Sequence, residues 1–280
     1  MNLMQLIKLV LDDAYAAINL KTDAEKDKLI THELDTLSTA YANLTNANAK
    51  HIDYSDPLKR FAYIYKYTVA HADYIMQLVA AEGELRKLFA RPEVEVACLG
   101  GGPGSDLLGI LKYLIQAQIQ KTCLTCYIFD KERAWGDSWS DVARLLKAPF
   151  QVYPVFQQMD VTDKSTWAGY QKFLRADLFT LSFFLSEVWR IREQADPFFN
   201  HCMGQMKSGS LLLFIDNNSS QFTDWFDALA KNHKLKPVRV DEKNLAFSND
   251  EEKTDLGVYF EKFGWPKRAS NAAYRVMRKL

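Results

Sequence analysis

An excess of charge of one sign, a basic leader and a long hydrophobic run are all missing from this 280-residue chain, and each absence removes a class of protein. Thirty-five basic residues against thirty-five acidic ones leave no formal net charge, so no global field draws the chain to nucleic acid or an anionic membrane. The local stretch Lys207, Lys231, Lys234, Lys236 and Arg239 reads as solvated surface. The opening Met1-Asn2-Leu3-Met4-Gln5-Leu6-Ile7 is apolar but lacks a basic start, and Asp12 and Asp13 interrupt it too early for a signal peptide or a membrane span. Cysteine is scarce. Of the four, Cys98, Cys123 and Cys126 fall on expected buried strands and Cys202 on an expected helix. Cys123 and Cys126 form a C-x-x-C with no second pair and no nearby histidine, so buried thiols in a reducing compartment are expected and a metal site is not. These absences imply a soluble protein, cytoplasmic or nuclear, without a membrane partner. There is no internal repeat and no low-complexity tract.

What is present suits a packed core, with 48% hydrophobic residues and 13% aromatics. Residues 1–92 carry helix-period patterning: Leu3, Leu6, Ile7 and Val10 on one face, then Leu29, Leu34, Leu37 and Tyr41, then a long run from Asp56-Pro57 to Phe89. Within that run Tyr63, Tyr67 and Tyr74 share a side. They fit either core packing or a lid whose hydroxyls face a ligand. From residue 93 to 280 the pattern changes. Strands are expected at 94–99, 124–129, 151–156, 177–183 and 210–215, with helices near 106–120, 134–146, 165–174, 186–206 and 223–231 between them. Such alternation predicts an α/β fold, a Rossmann-like doubly wound sheet, mostly parallel, with right-handed crossovers. Strands at 237–247 and 272–277, separated by a charged loop at 249–253, predict a C-terminal antiparallel pair closing the sheet edge. Residues 1–92 then form an N-terminal helical extension.

The strand ends carry the chemistry, because ligands of open α/β sheets lie beyond the carboxyl ends of the strands. After the first strand comes Gly100-Gly101-Gly102-Pro103-Gly104, with Ser105 placed to cap the following helix. Missing Cβ atoms let backbone N–H groups approach a nucleotide-like ligand, and the helix start adds unpaired donors. After the second strand come Asp130 and Lys131, a carboxylate able to accept both hydroxyls of a ribose or to cap a helix. After the third come Asp160 and Val161, where a side chain can accept from an adenine amino group and the next N–H donate to its ring, or where Asp160 again caps. After the fourth comes Ser182-Phe183-Phe184, and after the fifth Asp216-Asn217-Asn218. Trp135 and Trp139 stand one helical turn apart and are expected to pack on the sheet, or, for Trp135, to flank an adenine.

On these residues the segment from 94 to 280 resembles a class I S-adenosylmethionine-dependent methyltransferase. Gly100, Gly102 and Gly104 match the family's three glycines, with Gly101 between them. Asp130 resembles the ribose-binding acid, with Lys131 beside it. Asp160 and Val161 resemble the adenine pair, and Ser182 stands in the motif that lines the transfer site. Cys98 departs from the family's acidic residue before the glycines. The resemblance implies S-adenosylmethionine as cofactor and methyl transfer to a nucleophile on a small molecule or protein, with RNA the less favoured acceptor. It assigns no catalytic residue and no oligomeric state. Two other readings stay open: an interaction module that has lost catalysis, and a nicotinamide dehydrogenase. The latter lacks the third glycine of G-x-G-x-x-G, since Ser105 stands there.

Overall fold

A computed structural model describes residues 2–46, 52–119, 122–145, 151–248 and 250–280. The chain begins with helices α1 (Leu3–Ala17), α2 (Asp23–Ala42), α3 (Pro57–Tyr63), α4 (Val69–Ala81) and α5 (Gly83–Phe89). It continues as β1 (Glu93–Leu99), α6 (Ser105–Gln116), β2 (Cys123–Asp130), α7 (Trp135–Leu145), β3 (Gln151–Gln158) and α8 (Lys164–Trp167). Then come β4 (Leu178–Ser182), α9 (Phe184–Val188), α10 (Arg192–Gln205), β5 (Leu211–Asn217) and α11 (Ser220–Asn232), and finally β6 (Leu235–Ala246), α12 (Val258–Phe263) and β7 (Ala269–Lys279). The last residue of the helix expected to 120, that of the helix expected to 146, and Asn249 of the charged loop lie outside the described residues.

Local chemistry sets the helix starts. Asn2 accepts from the Gln5 N–H at 2.9 Å, and Thr22 and Glu25 form a reciprocal capping box. Asp56 caps α3 with Pro57 at its first position. The run expected as one helix from 56 to 89 is divided: a π-helical turn at Ile64–Thr68 joins α3 to α4, and Glu82 turns extended before α5. The helix expected over 186–206 is likewise broken, by a 3-10 turn at Trp189–Ile191 between α9 and α10.

Seven strands form one sheet in the order β3-β2-β1-β4-β5-β7-β6, with β1 to β5 parallel and β7 antiparallel to both neighbours. This is the Rossmann-like doubly wound sheet with a C-terminal antiparallel pair. Period-two alternation sends Val94, Val96, Cys98, Cys126, Ile128, Leu213 and Ile215 to one face, and Ala97, Leu99, Tyr127, Phe129, Leu212 and Phe214 to the other. The first face packs against α6, α7 and the N-terminal helices, which share its core, and the second against α10 and α11. The chain reverses its direction of winding between β1 and β4, where such sheets open a crevice. Among the described residues no helix is long and apolar enough to cross a membrane.

In the charged loop after β6 Asp250, Glu252 and Lys253 are exposed, but Glu251 turns inward. Glu251 is buried and accepts the Leu3 and Met4 N–H groups, both at 3.0 Å, so it caps α1 from outside the helix. Lys112 of α6, fully buried, meets Glu251 at 2.7 Å, Asp73 of α4 at 2.9 Å and Asp250 at 2.9 Å. Burial alone would depress this ammonium, but hydrogen bonds to Glu251 and the charge of Asp73 outweigh it and hold its pKa above the ordinary value. One lysine thus ties α4 and the loop that caps α1 to the helix that leaves the glycine loop. Lys112→Met strands the carboxylates of Asp73 and Glu251 in the core, and urea denaturation is expected to show a loss of about 3–5 kcal/mol. A loss below about 1 kcal/mol, the value of a surface pair, would contradict the clamp.

Candidate functional site

The crevice at the β1/β4 switch is a cleft lined by Gly100, Gly102, Asp130, Lys131, Asp160, Val161 and Ser182. Tyr54, Tyr63, Trp135, Phe184, Glu187, Val188 and Ile191 line it as well. Seven of the nine sequence-derived site residues therefore line one cavity. Gly101 and Gly104 lie behind it.

The loop is held by backbone conformation. Gly100, Gly102 and Gly104 have φ of 67°, 48° and 87°, a region that costs L-residues free energy. A Cβ on Gly100 would lie 2.1 Å from the Phe184 ring, and one on Gly104 2.5 Å from Trp139. At Gly102 the nearest atom to such a Cβ is Asp130 Oδ2, 3.9 Å away, so conformation and access to the cleft, not packing, call for glycine there. The Gly101 N–H donates to the Phe129 carbonyl at 2.9 Å and its own carbonyl accepts from Gly104 at 2.8 Å, which closes the turn. Ser105 does not cap α6. The left-handed Gly104 occupies the cap position, Ser105 is the first helical residue, and its buried hydroxyl has no protein partner among the described residues.

Asp130 joins the loop to the end of β2. Its Oδ2 accepts the Gly102 N–H at 3.0 Å and its Oδ1 the Glu132 N–H at 2.9 Å, and each oxygen retains further accepting capacity. Burial pushes its pKa up to about 6. Asp160 is engaged differently: Lys131 pairs with its Oδ2 at 2.9 Å, while Thr162 donates to Oδ1 through both N–H and hydroxyl. Burial would raise this carboxyl, but the bonds from Thr162 and Lys131 outweigh it and hold it below the usual range. Asp160 therefore serves as a turn cap, with Val161 beside it on the cleft wall.

Of three further acids to which the sequence gave no role, Glu187 lines the cleft, whereas Asp106 and Asp216 are buried and do not line it. Asp106, in the first turn of α6, accepts from the Thr180 hydroxyl and acts electrostatically on the Cys98 thiol, so a buried carboxyl lies close to the position where Cys98 departs from the family pattern. Burial raises it to about 6. Asp216, at the end of β5, accepts the Ser186 N–H at 2.9 Å and fastens α9; burial raises it to about 6 as well. Glu187 of α9 is raised to about 8, chiefly by burial, with the charges of Asp130 and Asp216 adding to it. Asp106 was legible as an acid in the first turn of a helix leaving a glycine loop. Glu187 had no sequence signal, because its neighbours come from α2 and the segment before α3.

Tyr63 lines the cleft, 5.4 Å from Trp135 and 5.4 Å from Tyr67, whereas Tyr67 and Tyr74 are core. Behind them His71 stacks on Phe183 at 4.0 Å, and burial keeps its imidazole neutral. Trp139 packs behind Gly104, while Trp135 reaches the cleft.

No protein-family pattern matches the sequence, and no curated protein aligns with it. Solved structures are similar to this chain at low identity and TM-scores under 0.5. A protein provisionally described as an RNA methyltransferase, from Pyrococcus horikoshii, is 13% identical, with 88% of this chain and 96% of that one covered at a TM-score of 0.46. The 16S rRNA methylase ArmA is 13% identical over 88% of this chain and 98% of its own, at 0.44. An arsenic(III) S-adenosylmethionine methyltransferase from Chlamydomonas reinhardtii is 14% identical over 67% of this chain and 64% of its own, at 0.40. The chemistry rests on the residues of the cleft.

The folded-state values of Asp106, Asp130, Asp216 and Glu187 all lie above their ordinary ones. The fold thus favours their protonated forms, and their contribution to stability grows as pH falls through each folded value toward the unfolded one. The melting temperature of the ligand-free protein is expected to rise between about pH 9 and about pH 6, with a smaller rise in Glu187→Gln. A flat or falling profile over that window would contradict the assignment.

Proposed function

We propose that this protein is an S-adenosylmethionine-dependent methyltransferase acting on a small molecule or a protein side chain. The observation that carries the reading is the pairing of the left-handed glycine loop with Asp130. A backbone without Cβ atoms faces a half-buried carboxylate that retains accepting capacity, which suits a ribose diol beside a chain that must approach closely. The cleft fits the group, because the position a Cβ would fill at Gly102 is open toward Asp130.

Gly100, Gly102, Asp130 and Val161 would hold the cofactor, and Ser182 lines the cleft at the end of β4. When bound, the sulfonium supplies an electrophilic methyl group. The chain's own task is positioning and exclusion of water, which can lower a barrier by several kcal/mol. Trp135, Tyr54, Tyr63, Val188 and Ile191 close the cleft with apolar surface. Asp130 must be ionised to accept two hydroxyls, so cofactor binding weakens as pH falls through about 6. The dehydrogenase reading gains nothing, since Ser105 occupies the position of its third glycine.

Calorimetric titration of S-adenosylmethionine is expected to give saturable heat. Asp130→Ala should weaken binding about tenfold to a hundredfold through loss of charge-assisted bonds, and Gly102→Val should abolish it. Circular dichroism confirms that both variants fold. Absence of heat from folded wild-type protein, or heat from NADH alone, would overturn the reading. Label from methyl-tritiated cofactor, followed into fractionated extract, then identifies the acceptor class.

A further inference from the structure

One end of the cleft is not accounted for by a nucleoside. There Glu187, half-buried on α9, receives a hydrogen bond from Tyr41 of α2 on its Oε1, while its Oε2 has no protein donor among the described residues. The Tyr41 hydroxyl also lies 2.8 Å from that of Tyr54. Because the Tyr41 proton is committed to Glu187, Tyr54 donates, and the two phenols form a relay directed at the carboxylate. Tyr54 stands edge-on to Tyr63 at 5.2 Å and lies 5.3 Å from Trp135, so the carboxylate borders an aromatic box. The groups that act on Glu187 are Tyr41, Asp130 and Asp216, and among the described residues no ammonium or guanidinium forms an ion pair with it.

We propose that this end is the acceptor subsite, resting on the methyltransferase reading above, and that it takes a small organic amine whose nitrogen meets Glu187 and whose carbon skeleton lies among Tyr54, Tyr63 and Trp135. Three features select that class. The Glu187 carboxyl, which burial keeps protonated when the cleft is empty, ionises most readily beside a cationic donor, which returns most. Aromatic faces attract a cation. The negative surroundings set by Asp130 and Asp216 repel an acidic acceptor.

The chemistry balances. The amine enters as its ammonium, and one proton passes from nitrogen to the Glu187 carboxylate, which frees the lone pair. That pair forms the N–CH3 bond as the S–CH3 bond breaks, and the electrons of the broken bond stay on sulfur. The product leaves as a methylammonium, and Glu187 returns its proton to water. The carboxyl is basic enough for this, since burial holds its pKa near the solution range at about 8.

The test is calorimetry on the full chain with 2-phenylethylamine, 2-phenylethanol and phenylacetate, each with and without saturating S-adenosylhomocysteine. The amine is expected to bind at least about tenfold more tightly than the alcohol, the acid not to bind, and Glu187→Gln to cost the amine about tenfold or more. The amine-to-alcohol contrast is read on wild-type protein, so it stands even if the variant fails to fold. Equal binding of the alcohol, binding of phenylacetate, no binding of the amine, or an unchanged amine affinity in folded Glu187→Gln would each overturn the proposal. Amine binding in a protein that ignores S-adenosylhomocysteine would uphold the subsite and remove the cofactor assignment. The reverse pattern would do the opposite.

Discussion

Three left-handed residues within five positions are the constraint on which the rest of this cleft depends. Gly100, Gly102 and Gly104 let β1 turn abruptly into α6, and the turn brings the Gly102 N–H onto Asp130 at the end of the neighbouring strand. Rings of Phe184 and Trp139 occupy the space that side chains on Gly100 and Gly104 would need, so the loop cannot relax without displacing both walls. The clamp around Lys112 then fixes α6 to α4 and to the loop that caps α1. Loop, helix and N-terminal extension are one mechanical unit.

Electrostatics give that unit its chemical character. Asp130 and Glu187 line the crevice half-buried, Asp106 and Asp216 are buried, and burial is the leading cause of the shift in each. Such a site disfavours its own ionisation when empty and gains from a cation that enters it. A sulfonium and an ammonium are both cations. One physical feature thus supports both halves of the proposed reaction.

The sheet was legible because buried strands and amphipathic helices differ in period, and the antiparallel closing pair was legible from the chain's change of character after the fifth strand. The glycine loop and Asp130 were legible because strand ends are where open sheets bind. What escaped had non-local causes. Glu187 lines the cleft and takes its hydrogen bond from Tyr41 of α2, far along the chain. The charged loop gave no sign that Glu251 is buried, because its partners, Lys112 and the first N–H groups of α1, are remote in sequence. Ser105 read as a cap because serine prefers that position, but the left-handed Gly104 already occupied it.

The most direct measurement is a crystal structure of the protein grown with S-adenosylhomocysteine. The account predicts the ligand in the β1/β4 crevice, with both ribose hydroxyls on the Asp130 carboxylate and its sulfur facing the side of Glu187 and Tyr63. A ligand seated elsewhere, or a crevice ligand that leaves Asp130 bonded to Gly102 and Glu132 alone, would contradict it.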